Sequence, residues 1–179
     1  DKSFTLLYKE PIEMRNQGIY QRDNASLAIS IIEALDLGID AKAIKAGIEK
    51  THWKGRFEEV VPNVYVDGAH NMQGMTRLIE SLDMLPKPWI VVFSALGDKA
   101  HHEMLEKLVK KVDQLIVTEF EFYRAEKAEV LAEGLNVSII KNYKEAIDQG
   151  FKDKEKGTLI VTGSLYFISD ARAYILEAF

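Results

Sequence analysis

The stretch Val64-Tyr65-Val66-Asp67-Gly68-Ala69-His70-Asn71 gathers a carboxylate, an imidazole and an amide in a short span. Asp67 can accept hydrogen bonds from a ribose, and His70 can donate to a carboxylate or phosphate. Arg56, just upstream, follows Gly55 in what reads as a flexible linker. Its guanidinium suits phosphate, because a fork of donors matches two oxygens. Gly97-Asp98-Lys99 offers a glycine for an unusual backbone angle and a mobile cation. Arg124 follows an aromatic and acidic loop, as a substrate contact or a helix-start residue. Gly163-Ser164 sets a hydroxyl at a helix start, where free N–H groups make a small anion pocket. Each residue also has a plainer reading. Asp67 and Asn71 can cap a strand-to-helix turn, and Ser164 can be an N-cap. His70 can be a neutral turn histidine, Arg56 a surface arginine, and Lys99 part of a solvated loop. His101 and His102 diverge by about 100° on a helix and lack a third ligand, so no metal site is expected. Ser164 lacks a surrounding G-x-S-x-G, which argues against a hydrolase nucleophile.

Strands and helices must position these groups. Val64 to Asp67 is β-branched and aromatic, so it reads as a buried strand. Asn71 is a good N-cap for the amphipathic run Met72 to Met84, with Met75, Leu78, Ile79 and Leu82 on one face. Asp67 and His70 then lie at a strand's carboxyl end beside a helix N-terminus, where anionic ligands bind in open α/β sheets. The spacing predicts further strands over Phe57 to Val61, Trp89 to Ser94, Gln114 to Thr118, Val137 to Ile140 and Thr158 to Thr162. Helices are predicted over His102 to Val112, Ala125 to Glu133, Tyr143 to Asp153 and Leu165 to Phe179, the last with an interruption near Ser169-Asp170. Alternation of apolar strands with helices means a mostly parallel sheet covered on both faces, a Rossmann-like α/β domain.

Residues ahead of this pattern read differently. Phe4 to Tyr8 and Pro11 to Met14 are predicted as strands. Gln21 to Leu35 is predicted as a helix begun by Asp23 or Asn24 and closed by Gly38, and Asp40 caps another to about Lys50. The first helix carries the broad apolar stripe Ala25, Leu27, Ala28, Ile31, Ile32 and Leu35, more than these elements can bury alone. They read as the tail of a preceding domain, with a boundary near Thr51 to Gly55. The expected division is 1–52 and 53–179.

A formal net charge of −5 over 179 residues, with no basic run, argues against a nucleic-acid surface. Zero cysteines exclude disulfides and thiolate chemistry and fit a reducing cytoplasm. No apolar run reaches the ~18 residues that cross a membrane. The chain opens on Asp1-Lys2, which reads as the C-terminal part of a longer protein.

Trp53-Lys54-Gly55-Arg56-Phe57-Glu58 followed by Asp67-Gly68-Ala69-His70-Asn71 resembles the folylpolyglutamate synthase/dihydrofolate synthase family of the Mur ligase superfamily, in its C-terminal part. Gly97-Asp98-Lys99, Thr118 with Arg124-Ala125, and Gly163-Ser164-Leu165-Tyr166 continue the likeness in order, and Gln21 with Asn24-Ala25 precedes it. The resemblance implies a C-terminal glutamate-ligase domain, 53–179, preceded by a remnant of the central ATPase domain, 1–52. It implies ATP contacts at Asn24, Arg56 and Asp67, and glutamate or substrate contacts at His70, Lys99, Arg124 and Ser164. It implies ATP, L-glutamate and folate as small-molecule partners, a monomer, and Mg²⁺ held by an N-terminal part of the same protein. The family's G-x-x-x-x-G-K-[ST] phosphate loop does not occur in this sequence, so ligase activity is not expected of the chain alone. The family's usual histidine before Gln21 is Tyr20 here, which cannot titrate near neutrality. Two alternatives stand beside this: a peptidoglycan ligase adding an amino acid to a UDP-sugar, and a non-catalytic nucleotide-binding module.

Overall fold

A computed structural model of the protein describes residues 4–8, 10–15, 18–97 and 101–179. Two sheets are present among them. The first is an antiparallel pair, β1 (Phe4–Tyr8) and β2 (Glu10–Met14). It is joined by α1 (Tyr20–Ala34) and α2 (Ala41–Lys50), around a small core of Ile12, Met14, Ala25, Ile29 and Ile44. Asp40 caps α2 by accepting the Ala43 amide at 2.7 Å. Much of the apolar stripe stays in solvent: Leu27, Ile31 and Leu35 are exposed, as are Leu37 and Ile39 beyond the helix.

The second sheet has six strands: β3 (Glu58–Val61), β4 (Val64–Asp67), β5 (Trp89–Phe93), β6 (Gln114–Glu119), β7 (Ser138–Asn142) and β8 (Thr158–Thr162). Their order is β3-β4-β8-β5-β6-β7. Only β3 runs antiparallel to its neighbour; the other pairings are parallel. Side chains alternate across the central strands and so feed two cores. Tyr65, Val91, Phe93, Val117 and Ile160 face α3 (Met72–Leu82), α4 (His101–Val109) and α5 (Ala128–Leu131). Val64, Val66, Val92, Ile116, Leu159 and Val161 face α6 (Tyr143–Asp153) and α7 (Leu165–Ala178). Parallel pairing of β4 with β8 puts Asp67 opposite Thr162, so the turns after both strands emerge at one edge. No helix among the described residues is long and apolar enough to cross a membrane.

Several expectations shift. Helix α1 begins at Tyr20 without a side-chain cap, so Asp23 and Asn24 lie inside its first turn and do not start it. The Ile19 amide is satisfied instead by Ser81 Oγ at 3.2 Å. The helix ends at Ala34, ahead of Gly38. Helix α5 is a single turn, because Ala125 is drawn into a bridge with Leu96 and the Glu119 carboxylate takes the Ala128 amide at 3.2 Å. Tertiary pairing overrides helix propensity there. Helix α7 runs without an interruption. Phe57 precedes β3 in a left-handed conformation, φ 48°.

Candidate functional site

Two clefts hold the candidate residues. The larger, about 550 Å³, lies between the α1–α2 unit and the segment before β3. Tyr20, Gln21, Asn24, Arg15, Trp53 and Arg56 are among its lining. That volume is in the range of small-molecule and cofactor sites. Asn24 Nδ2 donates to Gln21 Oε1 at 3.0 Å, which fixes both amides on the α1 wall. Trp53 is 67% exposed and presents an open ring face.

The smaller cleft, about 230 Å³, is lined by His70, Leu96, Arg124, Gly163, Ser164, Leu165 and Tyr166. Residues far apart in sequence meet here because β4 and β8 are parallel neighbours. Ser164 caps α7, its Oγ accepting the Tyr166 amide at 3.2 Å. Arg124 is exposed, and its loop is pinned: its carbonyl accepts the Gly97 amide at 3.0 Å, and Glu126 donates its amide to the Ala95 carbonyl at 2.9 Å. Tyr166 stacks on Phe122 with ring centroids 4.5 Å apart, which walls one side. Two buried hydroxyls at the same edge, Ser94 Oγ and Thr162 Oγ1, have no hydrogen-bond partner among the described residues. Lys99 lies outside the described residues.

His70 Nδ1 is 2.7 Å from the Gly68 carbonyl oxygen. A carbonyl only accepts, so this contact assigns the proton to Nδ1. Nε2 is the atom left for a ligand. It donates when the ring is protonated and accepts when the ring is neutral.

Asp67 is not an open ribose acceptor. It is 3% exposed, and three protein donors converge on it. Oδ2 accepts Tyr20 Oη at 2.9 Å and the Phe57 amide at 2.8 Å; Oδ1 accepts the Ala69 amide at 2.8 Å. Burial raises its pKa, against the pull of the Tyr20, Ala69 and Phe57 hydrogen bonds and the nearby Arg56 charge. Asp67 therefore ties α1, the Arg56 segment and the His70 turn together. The Tyr20 hydroxyl is correspondingly pushed well above its ordinary value by burial and by Asp67.

The Arg56 segment is not a flexible linker. The Gly55 amide donates to Glu58 Oε2 at 2.7 Å, and the Gly55 carbonyl accepts the Gly68 amide at 2.9 Å. The pairing of Tyr20 with Asp67, and that of Glu58 with Arg172, whose Nη2 donates to Glu58 Oε1 at 2.8 Å, had no local sequence signal. An arginine beside the buried face of a helix is the one hint. Among the described residues, no group of three or more His, Cys, Asp or Glu side chains could hold a metal ion.

The model of the Mur ligase glutamate ligase domain matches residues 55–165. The chain belongs to this Mur ligase family. It is 37% identical over 168 residues to the dihydrofolate synthase/folylpolyglutamate synthase of Bacillus subtilis, covering 87% of this chain and 39% of that protein. It also resembles the folylpolyglutamate synthase of Mycobacterium tuberculosis complexed with ADP, at 29% identity and a TM-score of 0.80, covering 92% of this chain and 42% of that one. The ligand-free bifunctional folylpolyglutamate synthase/dihydrofolate synthase of Yersinia pestis matches at 26% identity and a TM-score of 0.79, covering 85% of this chain and 39% of that one. The chain thus spans about two-fifths of the length of these relatives. The mostly parallel six-strand sheet is the fold expected of a Mur ligase C-terminal domain.

Proposed function

We propose that the chain is the glutamate-adding, nucleotide-clamping domain of an ATP-dependent folylpolyglutamate synthase, with residues 1–52 completing a central ATPase domain and 53–179 forming the ligase domain. The observation that carries this reading is the pair of clefts, one lined by Tyr20, Asn24 and Arg56, the other by His70, Arg124 and Ser164, linked through the Tyr20–Asp67 hydrogen bond. The named relatives are folate enzymes, which favours folate over a UDP-sugar substrate.

Carboxylate is a poor electrophile, so the reaction needs a leaving group. A carboxylate oxygen of the folate takes the γ-phosphoryl group of ATP, and ADP departs. The neutral amine of L-glutamate then attacks the acyl carbon of the resulting acyl phosphate. Phosphate leaves, the nitrogen loses a proton, and an amide remains. The same chemistry would serve dihydropteroate. Arg56 is suited to neutralise charge on the nucleotide phosphates from the larger cleft. The α7 N-terminus, Ser164, Arg124 and protonated His70 are suited to hold glutamate carboxylates and leave the amine facing the nucleotide. Without a G-x-x-x-x-G-K-[ST] phosphate loop in its sequence, the chain alone would have no ligase activity.

Steady-state kinetics of the full-length protein test the assignment. Arg56→Ala should raise the apparent constant for ATP by an amount equivalent to about 1.5–3 kcal/mol, the worth of a charge-assisted hydrogen bond. His70→Ala and Ser164→Ala should each raise the constant for glutamate instead, and the double variant should be non-additive if one carboxylate is shared. The reverse pattern, or unchanged glutamate constants, rejects the reading.

A further inference from the structure

Arg56 lines the larger cleft from the segment just ahead of β3. Glu58, two residues on, is buried at the start of β3 and lines neither cleft. Its carboxylate meets Arg172 of α7 through three contacts: Nε to both oxygens at 3.0 Å, and Nη2 to Oε1 at 2.8 Å. His52 Nε2 lies 3.5 Å from Oε1. The same carboxylate accepts the Gly55 amide at 2.7 Å. Gly55 adopts φ +71°, and a Cβ there would sit 2.7 Å from Ile168 Cδ1 on α7. Its carbonyl is held by the Gly68 amide.

We infer that Glu58 is a positioning residue for Arg56: by accepting the Gly55 amide it fixes the Gly55–Arg56 backbone against the β4–α3 turn, so that the guanidinium is already directed at the nucleotide. This rests on the proposed nucleotide contact of Arg56. A carboxylate suits the task because it has lone pairs for Arg172 and for a backbone amide at once. The amide of a left-handed glycine before an edge strand has no ladder partner of its own. Fixing the loop before binding removes an ordering cost that the ligand would otherwise bear.

The test uses the full-length protein and two readouts. One is hydrogen–deuterium exchange of a peptide covering 53–58 without nucleotide; the other is the separate apparent constants for ATP and glutamate. Glu58→Ala should speed that exchange and raise the ATP constant about 3- to 10-fold, as loss of one ordinary hydrogen bond does, with the glutamate constant unmoved. Arg172→Met is the control. It breaks the ion pair and lowers thermal stability, but leaves the Glu58 carboxylate on the Gly55 amide, so the ATP constant should hold. If Glu58→Ala does not fold, Gly55→Ala displaces the same loop with the ion pair intact and should raise the ATP constant alone. Unchanged exchange over 53–58 in Glu58→Ala overturns the inference. So does an ATP constant that rises equally in Arg172→Met, since the effect would then follow stability. Faster exchange in Glu58→Ala with a normal ATP constant in Arg56→Ala supports the clamp and removes the nucleotide reading of Arg56.

Discussion

Tyr20→Phe removes one oxygen and keeps the ring on the cleft wall. The lost group donates to Asp67 Oδ2 at 2.9 Å. Asp67 is 3% exposed, so bulk water has poor access to replace it. Two backbone donors remain, Phe57 and Ala69, each at 2.8 Å. A hydrogen bond to a charged group contributes about 1.5–3 kcal/mol. For a chain of this size, that lowers the melting temperature by about 3–12 °C.

The pH dependence makes the test sharper. Burial raises the Asp67 pKa, and the Tyr20 bond is one of the groups pulling it back. Between the ordinary aspartate value, about 3.9, and the raised folded value, the folded state holds more protons than the unfolded state. Stability therefore falls as pH rises through that window. Losing Tyr20 Oη raises the folded value further, so the fall becomes deeper. The difference between Tyr20→Phe and the parent should be largest well above the window and should shrink below it. Urea denaturation followed by circular dichroism at several pH values measures this. A difference under about 0.5 kcal/mol, or one equal at acid and neutral pH, refutes the view of Asp67 as an ionised hub satisfied by Tyr20.

Gly163→Ala should cost at least about 3 kcal/mol, because φ +116° strains an alanine and its Cβ would collide with the Ser94 carbonyl oxygen and the Phe93 ring. Gly134→Ala, at φ +72° with nothing within 4 Å, should cost only about 1 kcal/mol, and equal losses in denaturation would reject the packing argument. Glu58 gives an acid limb of opposite sign to Asp67: burial raises its pKa, but Arg172, the Gly55 amide and His52 outweigh that and hold it below the usual range. Its contribution is full above about pH 4.3 and is lost as pH falls through the lowered folded value. Glu58→Gln should flatten that limb, and an unchanged acid denaturation profile would count against the pairing.

Apolar periodicity and turn residues carried most of the ligase-domain fold. Strands β4, β5 and β8 read directly from runs such as Trp89 to Phe93 and Thr158 to Thr162, since burial on both faces demands continuous apolar sequence. Asn71 and Asp40 were legible as caps because capping is local chemistry. A mostly parallel sheet puts the residues after β4 and β8 at one carboxyl edge, which was legible; that the two strands are neighbours, bringing His70 and Ser164 to one cleft, was not. Helix α5 was overextended because nothing local announces the Leu96–Ala125 bridge. The linker reading of Gly55-Arg56 failed for a related reason. A glycine next to an arginine signals freedom, whereas three hydrogen bonds restrain the segment: Glu58 accepts the Gly55 amide, Asp67 accepts the Phe57 amide, and the Gly68 amide donates to the Gly55 carbonyl.

Those hydrogen bonds explain why two carboxylates lie buried beside the site. An apolar pair of similar volume can often replace a buried ion pair without loss of stability, so stability alone does not account for Glu58. The backbone around the clefts is irregular. Gly55 and Phe57 are left-handed, and the Asp67–His70 turn leaves the sheet. The amides of Gly55, Phe57 and Ala69 therefore have no ladder or helix acceptor. Glu58 takes the first and Asp67 the other two. An apolar substitution would strand these donors in the interior, at about 1–3 kcal/mol each. The carboxylates are in turn kept ionisable by Arg172 and Tyr20, which arrive from α7 and α1. The irregular turns that aim Arg56 and His70 at the two clefts are thus held by one buried layer, and altering either carboxylate should disturb both the turn it holds and the cleft beside it.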